Sequence, residues 1–134
     1  MIKLLDAQIK DLQNFGVDKN NKFLIIAIDE FTDIINIERI GDKESLFIEA
    51  VDLLPSDDCR YLLLNYSDNN STKVLFFKWI PDISKIKRKM MYSGFSNNII
   101  EQRGNGLRSE SYYKGSKNIK GIRVLGYDCN RAFI

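Results

Sequence analysis

Pro81 divides the most constraining stretch of this chain into a strand and a helix. On its N-terminal side, Lys73 to Ile80 (KVLFFKWI) is a run of apolar and aromatic residues, the composition of a buried strand. Beyond it, from about Asp82 to Gln102, lies a helical pattern crowded at its start with Lys85, Lys87, Arg88 and Lys89. Proline is tolerated in a first helical turn because its missing N–H would have no intrahelical partner there. A buried strand passing directly into a basic helix implies a sheet with helices packed on it.

The rest of the chain fits that plan. Residues 4–15 place Leu5, Ile9 and Leu12 at helical spacing, with Leu4 and Phe15 beside them, and Gly16 ends the run. Phe23 to Ile28 (FLIIAI) is continuously apolar, as expected of a central strand buried on both faces. Asp29 to Asp33 reads as a turn, and Ile34 to Ile40 as the returning hairpin strand. Residues 43–54 form a second predicted helix, with Leu46, Ala50 and Leu54 at four-residue spacing and Pro55 closing it. Arg60 to Tyr66 is a further strand, joined to Lys73–Ile80 by the polar loop Ser67 to Thr72. Gly104 to Asn118 is rich in Gly, Asn and Ser, and a last strand is expected over Ile122 to Tyr127. The predicted order is αββαββαβ, an α/β sandwich with a mixed sheet and helices on both faces.

A chain of 134 residues has the size of a single domain, able to bury roughly 65–70% of its unfolded surface. No apolar stretch approaches the ~20 residues needed to span a bilayer. Met1-Ile2-Lys3-Leu4-Leu5-Asp6 meets an acid too soon for a signal peptide. Cys59 and Cys129 fit neither a metal spacing nor a disulfide framework, so a reduced, cytosolic protein is expected. Charge is polarised along the chain. Residues 1–68 hold 7 Lys/Arg against 14 Asp/Glu, and residues 69–134 hold 13 against 4. The C-terminal half suits an acidic partner, unless the halves neutralise each other across the fold.

The basic helix carries two apolar arcs. At 100° per residue, Ile83, Ile86 and Met90 share one arc, flanked by Lys87 and Lys89. Met91, Phe95 and Ile99, with Tyr92, lie on another, roughly 90–180° away. One arc suffices to pack a helix on its sheet. The second is either more core or a ridge bordered by ammonium groups, suited to a partner with an apolar cleft and an acidic rim.

Catalytic chemistry is poorly provided for. With no histidine, the commonest general base and metal ligand is missing. Cys59 has no base partner identifiable in the sequence, and Asp57-Asp58 reads as a cap or turn. Gly104-Asn105-Gly106 lacks the strand-glycine-helix setting of a phosphate loop. Neither an enzyme nor a metal or cofactor site is expected.

Three blocks carry a family resemblance. They are Phe23-Leu24-Ile25-Ile26 through Ile37-Glu38-Arg39-Ile40-Gly41; Leu54-Pro55 with Asp58-Cys59-Arg60-Tyr61; and Phe76-Phe77-Lys78-Trp79-Ile80-Pro81-Asp82 with Lys87-Arg88-Lys89-Met90-Met91-Tyr92. In this order and spacing the chain resembles the actin-depolymerizing factor (ADF)/cofilin family across roughly Lys22 to Gly94. The resemblance implies one ADF-homology domain over residues 1–134, divergent after about residue 95. It implies a cytoplasmic, monomeric protein of the actin cytoskeleton that binds actin monomers and filaments and promotes severing and depolymerization. The contacts carried over fall on Ile86, Lys87, Lys89 and Met90, and phosphoinositide binding on Lys85, Lys87, Arg88 and Lys89.

The chain departs from the family in three places. It begins without the family's N-terminal extension and phosphorylatable serine. Phe95 to Ser116 reads as an insertion, with the pattern resuming over Lys117 to Val124. It stops at Ile134, where the family builds a last helix. With the short loop at Ser67–Thr72, these departures predict monomer binding better retained than filament severing. Two other readings stay open. Met90-Met91-Tyr92-Ser93-Gly94 is reminiscent of the glia maturation factor branch, which acts on an actin-related branching complex. The basic half is also compatible with a nucleic-acid or membrane-surface binder, although its tyrosines form no stacking motif.

Overall fold

Alternation of side chains along three long strands builds two cores, one on each face of a sheet. The computed structural model describes residues 2–15, 21–67, 72–103, 107–112, 123–124 and 127–128. Cys129, Gly104-Asn105-Gly106, the tail after 128 and most of the loop between Ser67 and Thr72 lie outside the described residues, as do 113–122 and with them most of the resumed family pattern. The elements run α1 (Asp6–Asn14), β1 (Asn21–Ile28), β2 (Ile35–Asp42), α2 (Phe47–Leu53), β3 (Arg60–Ser67), β4 (Thr72–Trp79), α3 (Ile86–Arg103) and β5 (Leu107–Tyr112). Two short strands follow, β6 (Arg123–Val124) and β7 (Tyr127–Asp128).

The main sheet is ordered β2-β1-β3-β4-β5. Its first four strands are antiparallel neighbours, whereas β5 runs parallel to β4, from Val74↔Leu107 to Trp79↔Tyr112. A parallel neighbour needs a crossover, and α3 is that crossover. Phe23, Ile25, Leu62, Leu64, Leu75, Phe77 and Trp79 point to one face and pack with Phe47, Ala50 and Val51 of α2. Leu24, Ile26, Tyr61, Leu63, Val74 and Phe76 point to the other, with Leu12 of α1 and Tyr92 and Ile99 of α3. The period of two that a sheet covered on both faces requires is thus kept through β1, β3 and β4.

Several boundaries differ from those expected. The second helix opens at Phe47 rather than 43, because Asp42 holds the preceding residues in a turn, accepting from Glu44 N–H and Ser45 Oγ. Glu49 then accepts from Leu46 N–H at 3.0 Å and closes the helix start. The basic helix opens at Ile86 rather than Asp82, since Ser84 N–H turns back to the Pro81 carbonyl. It continues through Phe95 to Arg103, so the start of the supposed insertion is helix. The glycine-rich segment contains β5, and in place of one strand over 122–127, β6 and β7 pair with each other in a separate two-stranded sheet.

Gly41 in β2 is a close-approach position. A Cβ built there would lie 2.0 Å from the Phe23 ring, and that ring is buried in the α2-side core. Gly41→Ala is expected to cost about 1–3 kcal/mol by overpacking, read as a lowered urea midpoint with unchanged slope. An unaltered midpoint would mean that Phe23 moves aside freely.

Candidate functional site

The first turns of α3 present two of their side-chain faces to very different surroundings. Ile83, in the turn before the helix, is 72% exposed; Ile86 is 73% and Met90 69% exposed. Tyr92 and Ile99 are buried in the α1/α3-side core, with Met91 and Phe95 packed against it. The two arcs are therefore one inward face and one outward ridge. Large apolar side chains this exposed, and contiguous on a helix, mark an interaction surface more often than an accident of folding.

Lys85 and Lys87 are exposed beside the ridge, and Lys89 is half-buried, its Nζ donating to the Asp82 carbonyl at 2.9 Å. The structure thus brings together Ile86, Lys87, Lys89 and Met90, the four positions carried over from the resemblance. Arg88 is elsewhere. It is only 7% exposed, which corrects its expected place in a solvent-facing basic set. Its Nε donates to Asp58 Oδ1 at 3.1 Å, and its Nη2 to Asp58 Oδ2 at 3.2 Å and the Tyr92 hydroxyl at 3.3 Å. The guanidinium also lies 5.2 Å from the Tyr92 ring centroid.

This polar clamp ties α3 to three strands. The Tyr92 hydroxyl accepts from Ile28 N–H at 2.7 Å, and Tyr61 O–H donates to the Tyr92 carbonyl. Arg60 shares Asp58 at 2.9 Å and pairs with Glu38 of β2. The azimuth of α3 is set from below, which holds Ile86 and Met90 outward. Sequence reasoning took Asp58 as a turn residue and missed the clamp. The one available signal was an arginine beside an apolar arc with acids upstream, too common to single out. Phe31, at the tip of the β1–β2 turn, is a second omission, being 89% exposed. Its neighbour Glu30 lines the same small cavities as Lys85 and Arg88, so the turn stands beside the start of α3.

Burial alone would push the Asp58 carboxyl up, but hydrogen bonds from Arg88, Arg60 and Cys59 N–H outweigh it and hold it below the usual 3.8. Backbone N–H groups of Thr32 and Phe31 hold Asp29 down likewise. An acid depressed in the folded state contributes stability above its unfolded pKa and loses it as pH falls through the folded one. With no histidine, the melting temperature is expected to stay level from about pH 6 to 8 and to fall below about pH 4. A step near neutrality in a pH series of thermal melts would contradict this. Burial also pushes the Cys59 thiol up, away from the thiolate a nucleophile needs. Among the described residues no group of three or more His, Cys, Asp or Glu is placed to hold a metal ion. No described helix is long and apolar enough to cross a membrane.

The sequence matches the family of cofilin/tropomyosin-type actin-binding proteins over residues 1–114. It is 29% identical to actin-depolymerizing factor 8 of Arabidopsis thaliana over 110 residues, 78% of this chain and 77% of that protein. To the actin-depolymerizing factor of Lilium longiflorum it is 29% identical over 96 residues, 68% of this chain and 65% of that one. Among solved structures, Streptomyces griseoflavus cofilin superposes with a TM-score of 0.75 at 23% identity, covering 87% of this chain and 89% of that one. Glia maturation factor from Caenorhabditis elegans superposes with 0.71 at 21% identity, covering 86% and 87%.

Proposed function

The chain belongs to the family of cofilin/tropomyosin-type actin-binding proteins, and from that premise we propose that it docks on actin through the outward ridge of α3. The observation that carries this reading is the exposure of Ile86 and Met90 on a helix whose other arc already satisfies the core, with Ile83 exposed in the turn just before it. In this reading Ile86 and Met90 enter an apolar cleft on an actin subunit, while Lys87 and Lys89 face its acidic rim. Apolar anchors at the centre with charges at the edge is the usual division of labour at protein interfaces. The protein acts as a monomeric ADF-homology domain in the cytoplasm, on actin monomers and filaments, and promotes severing and subunit loss.

Anionic phosphoinositides compete for the same face through Lys85, Lys87 and Lys89, with Arg88 held in the clamp. The glia maturation factor reading shares the fold, so the two part on affinity for actin itself. The experiment is high-speed co-sedimentation with filamentous actin. Co-pelleting of this protein, or a rise in soluble actin as it is added, is the expected result. If it neither pellets nor changes soluble actin, filament action is ruled out and the branching-complex reading gains.

A further inference from the structure

Among the described residues Phe31 is the most exposed large apolar side chain, standing at the tip of the β1–β2 turn. The turn beneath it is closely bonded. Asp29 Oδ1 accepts from the backbone N–H groups of Phe31 and Thr32, both at 2.9 Å, and Thr32 Oγ1 accepts from Ile34 N–H at 3.3 Å. Asp29 N–H donates to the Ile34 carbonyl at 3.0 Å, and Asp33 N–H to the Asp29 carbonyl at 2.9 Å. Asp33 closes the loop at a φ of 59°, a left-handed conformation that aspartate tolerates. Lys3 adds a brace from outside, donating to the Asp33 carbonyl at 2.7 Å and accepting from Ile35 N–H at 3.0 Å. At position 31 these bonds use only the backbone N–H, which any residue but proline supplies. The turn therefore does not explain why the tip carries an aromatic ring.

Its position does. β3 is antiparallel to both β1 and β4, so the C-terminal ends of β1 and β4 lie at the same end of the sheet. From that end β1 leads into the turn and β4 into α3. Glu30 shares a cavity of about 140 Å³ with Lys85, Lys87, Arg88 and Met91. Lys87 lies about 60° round the helix from Met90, so it stands between the ridge and the turn. A second link runs through the N-terminal segment. Ile2 lines a cavity of about 440 Å³ with Met90 and Met91, and the next residue is the Lys3 that braces the turn. Phe31 and the ridge thus border one continuous surface.

Charge narrows what can cover Phe31. Asp29, Glu30 and Asp33 surround it in sequence, which disfavours an anionic membrane surface. A symmetric pair of copies meeting at this tip would set two acidic turns against each other. A protein already seated on the neighbouring ridge meets neither obstacle.

We propose that Phe31 is a second apolar anchor of the docking face, entering a hydrophobic depression on the actin subunit beside the cleft that takes Ile86 and Met90. The inference rests on the actin reading above and extends its contact surface to the β1–β2 turn. Since the bonded turn already fixes the tip, little ordering is lost when the ring is covered. Aromatic side chains are enriched in the buried centre of interfaces for the area they remove from water.

Affinity for fluorescently labelled actin monomers is measured for the wild type, Phe31→Ser, Phe31→Leu and Leu53→Ser. Leu53 is exposed at the end of α2, on the opposite face of the sheet, and controls for the loss of an exposed apolar side chain. Phe31→Ser is expected to weaken binding about tenfold, and Phe31→Leu to recover most of that loss. Leu53→Ser should leave affinity unchanged. Melting temperatures of the Phe31 variants should match the wild type, because the ring is in solvent. Should Phe31→Ser melt early, Phe31→Leu alone is compared, with a loss of about twofold expected.

Phe31 variants that bind actin as tightly as the wild type overturn the anchor. So does intact actin affinity with a lost self-association in analytical ultracentrifugation, which would give Phe31 to a second copy. Intact actin affinity with lost binding to vesicles containing phosphatidylinositol bisphosphate would give it to a lipid surface and overturns the anchor equally. A wild type that does not bind actin sinks the docking reading and this inference with it. Binding that depends on Ile86 and Met90 but ignores Phe31 sinks the anchor alone.

Discussion

Trp79→Ala is expected to remove about 3–5 kcal/mol of stability. Trp79 is 1% exposed and belongs to the core between the sheet and α2, with Phe47, Leu54 and Phe77. Its indole N–H donates to the Pro55 carbonyl at 2.6 Å. Truncation therefore opens a cavity and also leaves an acceptor at the end of α2 without its donor. Set against the ~5–15 kcal/mol of a typical domain, the loss is a large fraction of the whole. Since Trp79 is the chain's one tryptophan, unfolding is followed by circular dichroism in urea. Trp79→Phe, which keeps a smaller aromatic ring but loses the N–H and part of the indole's volume, should fall between the wild type and the alanine variant. A loss below about 1 kcal/mol on truncation to alanine would mean that the site collapses around the missing ring.

The second large effect is on binding. Ile86→Glu together with Met90→Glu is expected to weaken actin binding by at least about a hundredfold, as two apolar anchors are exchanged for charges facing an acidic rim. The milder pair Lys87→Ala with Lys89→Ala should cost about tenfold, mostly through slower association. All four side chains lie on the outward side of α3, so melting temperatures should barely move. Retained affinity in the doubly acidic variant, with an intact melting transition, would move the interface off this ridge. Lost affinity with a lost melting transition would instead place Ile86 and Met90 in the fold.

How much of this could be read from residues alone depended on burial. The strands that became β1, β3 and β4 were legible because both their faces are covered, which writes a continuous apolar run into the sequence. The two arcs of α3 were legible for a related reason. Periodicity separates Ile86 and Met90 from Tyr92 and Ile99, though it cannot say which arc faces water. β5 was missed because LRSESY carries no apolar pattern. It sits at the edge of the sheet, where pairing on one side suffices and hydrophobicity is not demanded. Helix starts were misplaced by four residues for want of a local rule. Asp42 and Pro81 each spend the preceding residues on a turn before helical bonding begins.

The clamp beneath α3 was illegible for a different reason. Asp58 and Arg88 are 30 residues apart, and nothing in the local composition of either names the other. Their pairing follows from β3 and α3 being placed together on one face of the sheet, which only the fold supplies. The same clamp explains why the four basic residues at the start of the helix are not equivalent. Three are on the surface side, and the fourth is committed to holding the helix in place.

Methionine-methyl NMR separates the outward ridge from the core-facing side of α3, because Met90 is 69% exposed while Met91, the next residue and about 100° round the helix, is half-buried against the core. With ¹³C-labelled methionine methyl groups, actin monomers should shift or broaden the Met90 signal most, its side chain being the one on the docking ridge. The Met91 signal should change less, its side chain being half inside the core. A Met90 resonance that stays sharp and unmoved at saturating actin, or a change confined to Met91, would contradict docking through this ridge.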